Sequence, residues 1–237
     1  FQKFSDIIVA VDERRINGIQ QLLKLPNPPE IILLDDAFQH RSVKPGLSIL
    51  LTPFDDLYID DFVLPAGNLR EFQSGYKRAD IVIVTKTVEN ISDETQFNIK
   101  HKLKLLSHQQ LYFSGISYNE ILKGGKDKLS VQDLKKYEVI LITGISNPNP
   151  LLTYLTEKEI KYKHLQFGDH HIFSEQDIVK IKEEFNQITS EKKIILTTEK
   201  DYVRIFASLE NCYFISIETI ILKNEADFSR KILNYVG

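Results

Sequence analysis

The stretch KRADIVIVTK, residues 77–86, decides the fold class of this chain. Residues 81–84 are apolar at every position, whereas a strand with one face in water alternates apolar and polar residues. A continuous apolar run of this length is typical of a parallel strand that is covered on both faces. We therefore predict a buried strand over residues 80–85.

Similar apolar runs recur along the chain and alternate with amphipathic stretches of helix length. The predicted strands cover residues 6–11, 30–34, 48–51, 80–85, 110–113, 138–143, 162–166, 193–197 and 213–217. The predicted helices cover residues 14–25, 93–106, 150–159, 175–188, 200–209 and 226–236, with N-caps such as Ser92 and Ser174. This alternation predicts an α/β fold with a mainly parallel sheet.

The segment NEILKGGKDKLSVQDL, residues 119–134, is the predicted domain boundary, because it contains the only Gly-Gly pair and several lysines. We expect a first domain over residues 1–120, a linker over residues 121–134 and a smaller α/β domain over residues 135–237.

Composition limits the classes of function. The 237 residues are 42% hydrophobic, enough for a substantial core, and a net charge of −3 provides no basic surface for nucleic acid. A single cysteine, Cys212, excludes an internal disulfide. No apolar run approaches the roughly 18–20 residues that a membrane span requires. There is no methionine, even at position 1, so we expect a chain that is truncated before Phe1.

Two polar clusters in the first half follow predicted strands, where open α/β sheets bind ligands. Asp35 and Asp36 end the first apolar run of IILLDDAFQHR, either as a turn or helix cap or as a Mg²⁺ site beside phosphates. The second cluster is LPAGNLREF, residues 64–72, in which Arg70 and Glu71 form either an exposed charge pair or a phosphate-binding group.

Two further clusters lie in the second half. In QFGDHHIFS, residues 166–174, consecutive side chains diverge, which disfavours a metal site and leaves either a histidine positioned by a carboxylate or a polar loop before a helix cap. In LTTEKDYVRI, residues 196–205, Thr198 and Asp201 form either a capping box or part of an anion site.

Six motifs together resemble one family. LLDDAFQHR, LPAGNLRE, KRADIVIVTK, TGISNP, FGDHHIF and LTTEKD occur in the order and spacing of tetraacyldisaccharide 4'-kinase, the lipid A 4'-kinase, and look closest to members from Bacteroidetes. The resemblance covers essentially the whole chain. Two departures, Ala37 for the commoner glycine and Phe72 for the commoner proline, remove no functional group.

The resemblance implies a P-loop-kinase-like, mainly parallel sheet followed by a smaller α/β domain. It implies transfer of the ATP γ-phosphoryl group, with Mg²⁺, to the 4'-hydroxyl of a tetraacylated glucosamine disaccharide 1-phosphate. This lipid A precursor would be met at the cytoplasmic face of the bacterial inner membrane. The chain has no GxxxxGK[ST] loop, so the Walker A loop and the catalytic aspartate are expected before Phe1. The chain alone is then expected to be inactive.

The resemblance also implies residue roles. Asp35 and Asp36 match the Walker B-type pair for Mg²⁺, and His170, with His171 as the alternative, matches a histidine that supports the catalytic aspartate. The remaining matches are Arg70 and Glu71 as catalytic residues, Gln39, His40, Arg41 and Asn68 at the substrate, and Asp169, Thr197, Glu199, Lys200 and Asp201 without an assigned role.

Two other classes of function stay open from the residues. Asp35 and Asp36 after one strand, with Thr85 and Lys86 after another, also suit a receiver-like phosphoacceptor domain. A non-catalytic binding module that keeps a kinase-like shell is the third possibility.

Overall fold

A computed structural model describes residues 4, 6–169, 171–204 and 209–237. The chain forms two compact units. The first comprises Phe1–Gly115 together with Ile220–Gly237, and the second comprises Ile116–Thr219.

The helices and strands follow the predicted α/β alternation from residue 48 onward. The strands are β1 Ile49–Pro53, β2 Ile81–Thr85, β3 Gln110–Tyr118, β4 Glu138–Thr143, β5 Tyr162–Gln166, β6 Lys193–Thr198, β7 Cys212–Ile215 and β8 Ile217–Ile221. The α-helices are α1 Arg15–Leu22, α2 Asp93–Leu103, α3 Asn149–Glu157, α4 Glu175–Gln187, α5 Glu199–Arg204 and α6 Glu225–Val236. Short 3₁₀ helices cover Gln73–Arg78 and Val131–Lys136.

The strand order β1-β2-β3-β8 defines the first sheet, in which β1, β2 and β3 are parallel. Alternate residues of β2 enter opposite layers of the core. Val82 and Val84 pack in a cluster with Leu103, whereas Ile81 and Ile83 pack on the other face. Both faces of β2 are therefore covered, as its continuous apolar run predicts.

The strand order β5-β4-β6-β7 defines the second sheet, and all of its pairs are parallel. Its central strand β4 repeats the pattern of β2, with Leu141 in one core layer and Ile140 and Ile142 in the other. Helix α4 covers the second layer through Ile181, which is fully buried. The lone cysteine, Cys212, is buried in the same layer.

The strand predictions for residues 6–11 and 30–34 are wrong, because neither segment forms a strand. Val11 and Leu33 are 98% and 90% exposed. A strand needs a neighbour to pair its backbone N–H and C=O groups, and within the described residues neither segment has one.

The two units also correct the predicted domain borders. The predicted linker is part of the second unit, where Leu122, Leu129, Val131 and Leu134 are buried in its core. Residues 220–237, predicted to end the second domain, belong to the first unit. The reason is apolar packing, since α6 covers one face of the first sheet.

No helix in the described part of the chain is long and apolar enough to cross a membrane.

Packing of α6 on the first sheet predicts a specific loss of stability. The Phe228 ring lies 5.1 Å from that of Tyr112 in an edge-to-face contact. We expect Phe228→Ala to reduce the free energy of unfolding by about 2–4 kcal/mol, because it removes apolar contacts and leaves a cavity. Denaturant unfolding measures the change. Leu233→Ala on the same helix, where Leu233 is 63% exposed, is the control. Equal effects of the two variants would contradict the assignment of α6 to this core.

Candidate active site

The predicted Walker B-type pair, Asp35 and Asp36, lies in an exposed turn of the first unit. Asp36 has a φ of 44°, in the left-handed region that aspartate adopts more readily than most residues. The turn is closed by Gln39 Nε2, which donates to the Asp36 carbonyl at 3.1 Å, and by the His40 N–H, which donates to the Ala37 carbonyl at 2.9 Å. The exposure of both aspartates leaves their carboxylates accessible to a ligand.

Two ion pairs bring this turn to the segment that carries Arg70 and Glu71. Arg70 Nη1 lies 2.6 Å from Asp36 Oδ2, and Arg41 Nη2 lies 3.1 Å from Glu71 Oε2. Such exposed pairs each stabilise a fold by only about 0–1 kcal/mol. Their consequence is geometric: the LLDDAFQHR and LPAGNLRE motifs, predicted as separate clusters, form one site.

Glu71 is the centre of this site because it binds two arginines, Arg41 and Arg78. Arg78 Nη2 lies 2.6 Å from Glu71 Oε1, and it donates to the Phe38 carbonyl at 3.0 Å. The Arg78 guanidinium also lies over the Phe38 ring, 4.7 Å from its centroid. Burial alone raises the pKa of Glu71, but hydrogen bonds from Arg78 and Arg41 outweigh it and hold the pKa below its ordinary value. We call Asp36, Arg41, Arg70, Glu71 and Arg78 the arginine cluster.

Two members of this region, Arg78 and Gly75, were not predicted as site residues. Gly75 is buried in the 3₁₀ helix between Glu71 and Arg78. A Cβ at position 75 would lie 2.8 Å from the Glu71 carboxyl group and 3.1 Å from Arg78 Nη1. A side chain at position 75 would therefore displace the Glu71 carboxyl group from its present place. The sequence signal that could have identified Gly75 and Arg78 is a glycine that lies between a glutamate and an arginine.

The predicted substrate residue Asn68 has its described contacts with Asp61 and not with the arginine cluster. Its backbone N–H lies 3.2 and 3.1 Å from the two carboxylate oxygens of Asp61. A backbone hydrogen bond from Leu64 to Leu69 closes the same loop at 3.0 Å. Asn68 is exposed at the tip of this loop.

His40 lines an open cavity of about 560 Å³ in the first unit. The cavity is also lined by Ser42, Gln20 and residues 13–17. Arg14 and Arg15, at the start of α1, give it two guanidinium groups that were not predicted as site residues. Glu13 adds an acidic group, so the lining is polar and of mixed charge, which suits a hydroxyl-rich ligand.

Within the described residues, no group of three or more His, Cys, Asp or Glu side chains is arranged to hold a metal ion by itself. Asp35 and Asp36 nevertheless fit Mg²⁺. This cation takes one or two protein carboxylates and completes its coordination with waters and substrate phosphates. Both carboxylates are exposed in the same turn, so they can supply that share of the ligands.

In the second unit, the histidine loop, residues 167–173, lies between β5 and α4. His170 lies outside the described residues. His171 Nε2 is 3.0 Å from Asp177 Oδ2, and its ring packs against Phe167 and Phe173 at centroid distances of 4.9 and 5.0 Å. A carboxylate does position a histidine, as predicted, but for His171 it is Asp177 and not Asp169.

Asp177 also takes part in a capping box with Ser174, which confirms the predicted N-cap of α4. Hydrogen bonds from the backbone and side chain of Ser174, and then from His171, lower the pKa of Asp177 to about 2. His171 is therefore bound to a helix terminus as well as to two aromatic rings.

The TTEKD segment, residues 197–201, joins β6 to α5. Thr197 is buried and donates to the Ile142 carbonyl at 2.9 Å, and Glu199 is exposed. Thr198 Oγ1 accepts from the Asp201 N–H at 3.2 Å, so the predicted cap at Thr198 is confirmed. Lys200 Nζ lies 3.7 Å from Asp169 Oδ1, which brings the third and fourth predicted clusters together.

The Glu71 carboxylate gives a test of the arginine cluster. Arg78→Ala removes the strongest hydrogen bond that lowers the Glu71 pKa, while burial continues to raise it. We therefore expect the Glu71 pKa to rise, as followed by carbon NMR of the carboxyl groups against pH. Lys102→Ala, which breaks the exposed pair with Asp60 in the same unit, is the control. An unchanged Glu71 pKa in Arg78→Ala would refute the geometry.

His164 predicts how the stability of the second unit depends on pH. Its Nε2 lies 2.8 Å from Thr143 Oγ1, and burial lowers its pKa below the ordinary 6.5. The unfolded chain thus binds this proton more tightly, so stability is present above pH 6.5 and is lost as pH falls through the folded pKa. We expect His164→Gln to reduce the change in the denaturant midpoint between pH 7.5 and pH 5.5. Replacement of the exposed His108 in His108→Gln should leave the pH dependence of the midpoint as in wild type. An unchanged pH dependence in His164→Gln would contradict the assignment of the effect to His164.

The chain is similar to known proteins along its whole length. The family model for tetraacyldisaccharide-1-P 4'-kinase (LpxK) matches residues 1–237. The tetraacyldisaccharide 4'-kinase of Flavobacterium johnsoniae is 45% identical over 238 residues, covering 100% of this chain and 68% of that protein. The enzyme of the same name from Bacteroides fragilis is 43% identical over 249 residues, covering 99% of this chain and 66% of that protein.

A solved structure is also similar. It is the apo form of LpxK from Aquifex aeolicus in complex with ATP, with a TM-score of 0.65 and 25% identity over 93% of this chain and 61% of that chain. The predicted α/β class with mainly parallel sheets is thereby confirmed. This chain spans about two thirds of the length of the relatives that it matches. Since the family model matches it from end to end, the chain belongs to the tetraacyldisaccharide 4'-kinase family.

Proposed function

We propose that the protein containing this chain transfers the γ-phosphoryl group of ATP to the 4'-hydroxyl of a tetraacylated glucosamine disaccharide 1-phosphate in lipid A biosynthesis. Family membership supports this proposal, as do the names of the relatives and the ATP in the similar crystal structure. The observation that carries it is the arginine cluster, in which Asp36 and Glu71 bind arginines from the opposite motif.

Phosphoryl transfer needs positioning and charge neutralisation more than covalent work by the protein. Asp35 and Asp36 are proposed to hold Mg²⁺, which when bound neutralises the phosphate oxygens of ATP. Arg70 and Arg41 present planar guanidinium groups that suit phosphate, and Glu71 sets the position of Arg41. The catalytic roles in this unit therefore fall to Asp36, Arg70 and Glu71.

The acceptor is proposed to lie beside the same turn. Gln39, His40, Arg41 and Asn68 are its candidate ligands, because amide, imidazole and guanidinium groups donate hydrogen bonds to sugar hydroxyls and to a 1-phosphate. His40 already lines the polar cavity of the first unit.

His170 is proposed as the histidine that supports removal of the proton from the sugar hydroxyl. It lies outside the described residues, so this role rests on the match to the FGDHHIF motif. His171, which Asp177 positions, is the alternative.

We further propose that the first unit corresponds to the Walker B side of a P-loop kinase domain and the second to a smaller α/β domain. The protein would act as a peripheral enzyme at the cytoplasmic face of the inner membrane, where the lipid acceptor lies. Nothing in the described residues favours the receiver-like or non-catalytic alternatives.

The Mg²⁺ assignment is tested by Asp36→Asn in the whole gene product. We expect phosphoryl transfer from ATP to the lipid acceptor to fall at least about 100-fold, with a higher Mg²⁺ concentration for half-maximal rate, because one metal ligand is weakened. The assay follows the phosphorylated lipid while Mg²⁺ is titrated.

Two controls separate the metal from the ion pair. Asp60→Asn changes an exposed carboxylate that is paired with Lys102. It should leave both the rate and the Mg²⁺ requirement unchanged. Arg70→Ala breaks the same pair as Asp36→Asn but keeps both carboxylates, so it should lower the rate without raising the Mg²⁺ requirement. An unchanged Mg²⁺ requirement in Asp36→Asn would refute the assignment.

A further inference from the structure

The carboxyl ends of β4, β5 and β6 carry a layer of polar side chains in the second unit. Thr143 at the end of β4 lies 2.8 Å from His164 on β5, and Thr197 on β6 donates to the Ile142 carbonyl at 2.9 Å. Because the three strands are parallel, their carboxyl ends lie at the same edge of the sheet. This is the edge of a parallel sheet at which α/β proteins place ligand-binding loops.

Asp201 anchors this edge through a side chain that is fully buried. Its Oδ2 accepts from the Gly144 N–H at 2.9 Å and from Thr198 Oγ1 at 2.8 Å. Its Oδ1 has no hydrogen bond among the described residues and lies 3.9 Å from Arg204 Nη1. A buried carboxylate is costly and persists where its partners are fixed. Asp201 therefore holds the start of α5 against the end of β4.

Gly144 lies close against Asp201 and Phe173. A Cβ at position 144 would lie 3.1 Å from Asp201 Oδ1 and 3.4 Å from the Phe173 ring. The TGISNP motif, which begins at Thr143, thus meets the TTEKD segment at its glycine. Three sequence motifs, TGISNP, FGDHHIF and LTTEKD, converge on one sheet edge.

Lys200 precedes the anchored Asp201 and reaches the histidine loop. Its Nζ lies 3.7 Å from Asp169 Oδ1, and both side chains are about 41% exposed. An ion pair with this exposure contributes little to folding stability. On its other side the loop is held by the contact between His171 and Asp177. The two contacts flank position 170 in the sequence.

We propose that the TTEKD segment positions the histidine loop for phosphoryl transfer, with Lys200 as a positioning residue that acts through Asp169. Asp201 fixes the base from which Lys200 extends, and the ion pair fixes the first half of the loop. This inference rests on the proposed function, because the loop carries the histidine assigned to it. It gives a role to a motif that the family resemblance left unassigned.

The test compares Lys200→Met and Lys200→Arg with Lys135→Met in the whole gene product. Lys135 forms a matched exposed pair with Glu159 in the same unit, at 2.8 Å and with 40% exposure of the lysine. We expect Lys200→Met to lower kcat about 10-fold or more with KM for ATP and for the lipid unchanged, because a small misplacement of a reacting group is costly. Lys200→Arg should recover most of the rate. Lys135→Met should match wild type, and all three should keep the wild-type Tm.

Two kinetic results would overturn the proposal. A raised KM with unchanged kcat in Lys200→Met would mean that Lys200 binds substrate directly. An unchanged kcat and KM would mean that the ion pair has no part in the reaction.

A second readout does not depend on activity. Backbone amide exchange of peptides covering residues 167–173 should be faster in Lys200→Met than in wild type and unchanged in Lys135→Met. If wild type proved inactive as a kinase, the proposed function would fail. The amide exchange of residues 167–173 would still test whether Lys200 holds the loop. Unchanged exchange in Lys200→Met would overturn the positioning role even in an active enzyme.

Discussion

Burial of β2 and β4 on both faces is the constraint on which the polar features of this chain depend. Each strand is apolar at successive positions, so it can exist only between two layers of packed side chains. That packing leaves few places for charge other than the ends of strands and the loops beyond them. The arginine cluster and the TTEKD segment are both outside these layers, with the exception of Thr197 and Asp201, whose burial is offset by fixed hydrogen-bond partners.

Much of the fold could be predicted from the sequence, because apolar runs and helix caps are local signals. The bounds of β4 and β5 and the caps at Ser92 and Ser174 agree with the structure. Residues 6–11 and 30–34 show where the local signal ends. Their apolar runs resemble that of β2, but a strand is a property of a pair, and pairing cannot be read from one segment. The same limit explains why the packing of α6 on the first sheet was not predicted. Its partners Ile81, Ile83 and Tyr112 lie more than a hundred residues earlier in the chain.

The candidate site was predictable to a similar depth. Asp36, Arg70 and Glu71 could be singled out by residue type and by the motifs that contain them, although the strand predicted before Asp36 does not form. Arg78 does not, because an arginine beside a strand entrance is most often solvated, and only the fold shows Phe38 beneath it. Asp177 was missed as the partner of His171 for a related reason. Asp169, two residues before His171, pairs with Lys200, whereas Asp177 in the first turn of α4 comes back to the loop.

The return of the C-terminal residues to the first unit has a consequence for the order of folding during synthesis. The second unit, Ile116–Thr219, is continuous in the chain and can complete its core as soon as it has left the ribosome. The first unit begins earlier but cannot finish, because Phe228 and Ile232 cover a face of its sheet. The part made first is therefore completed last, and until then its apolar face is open to chaperones, proteases or another nascent chain.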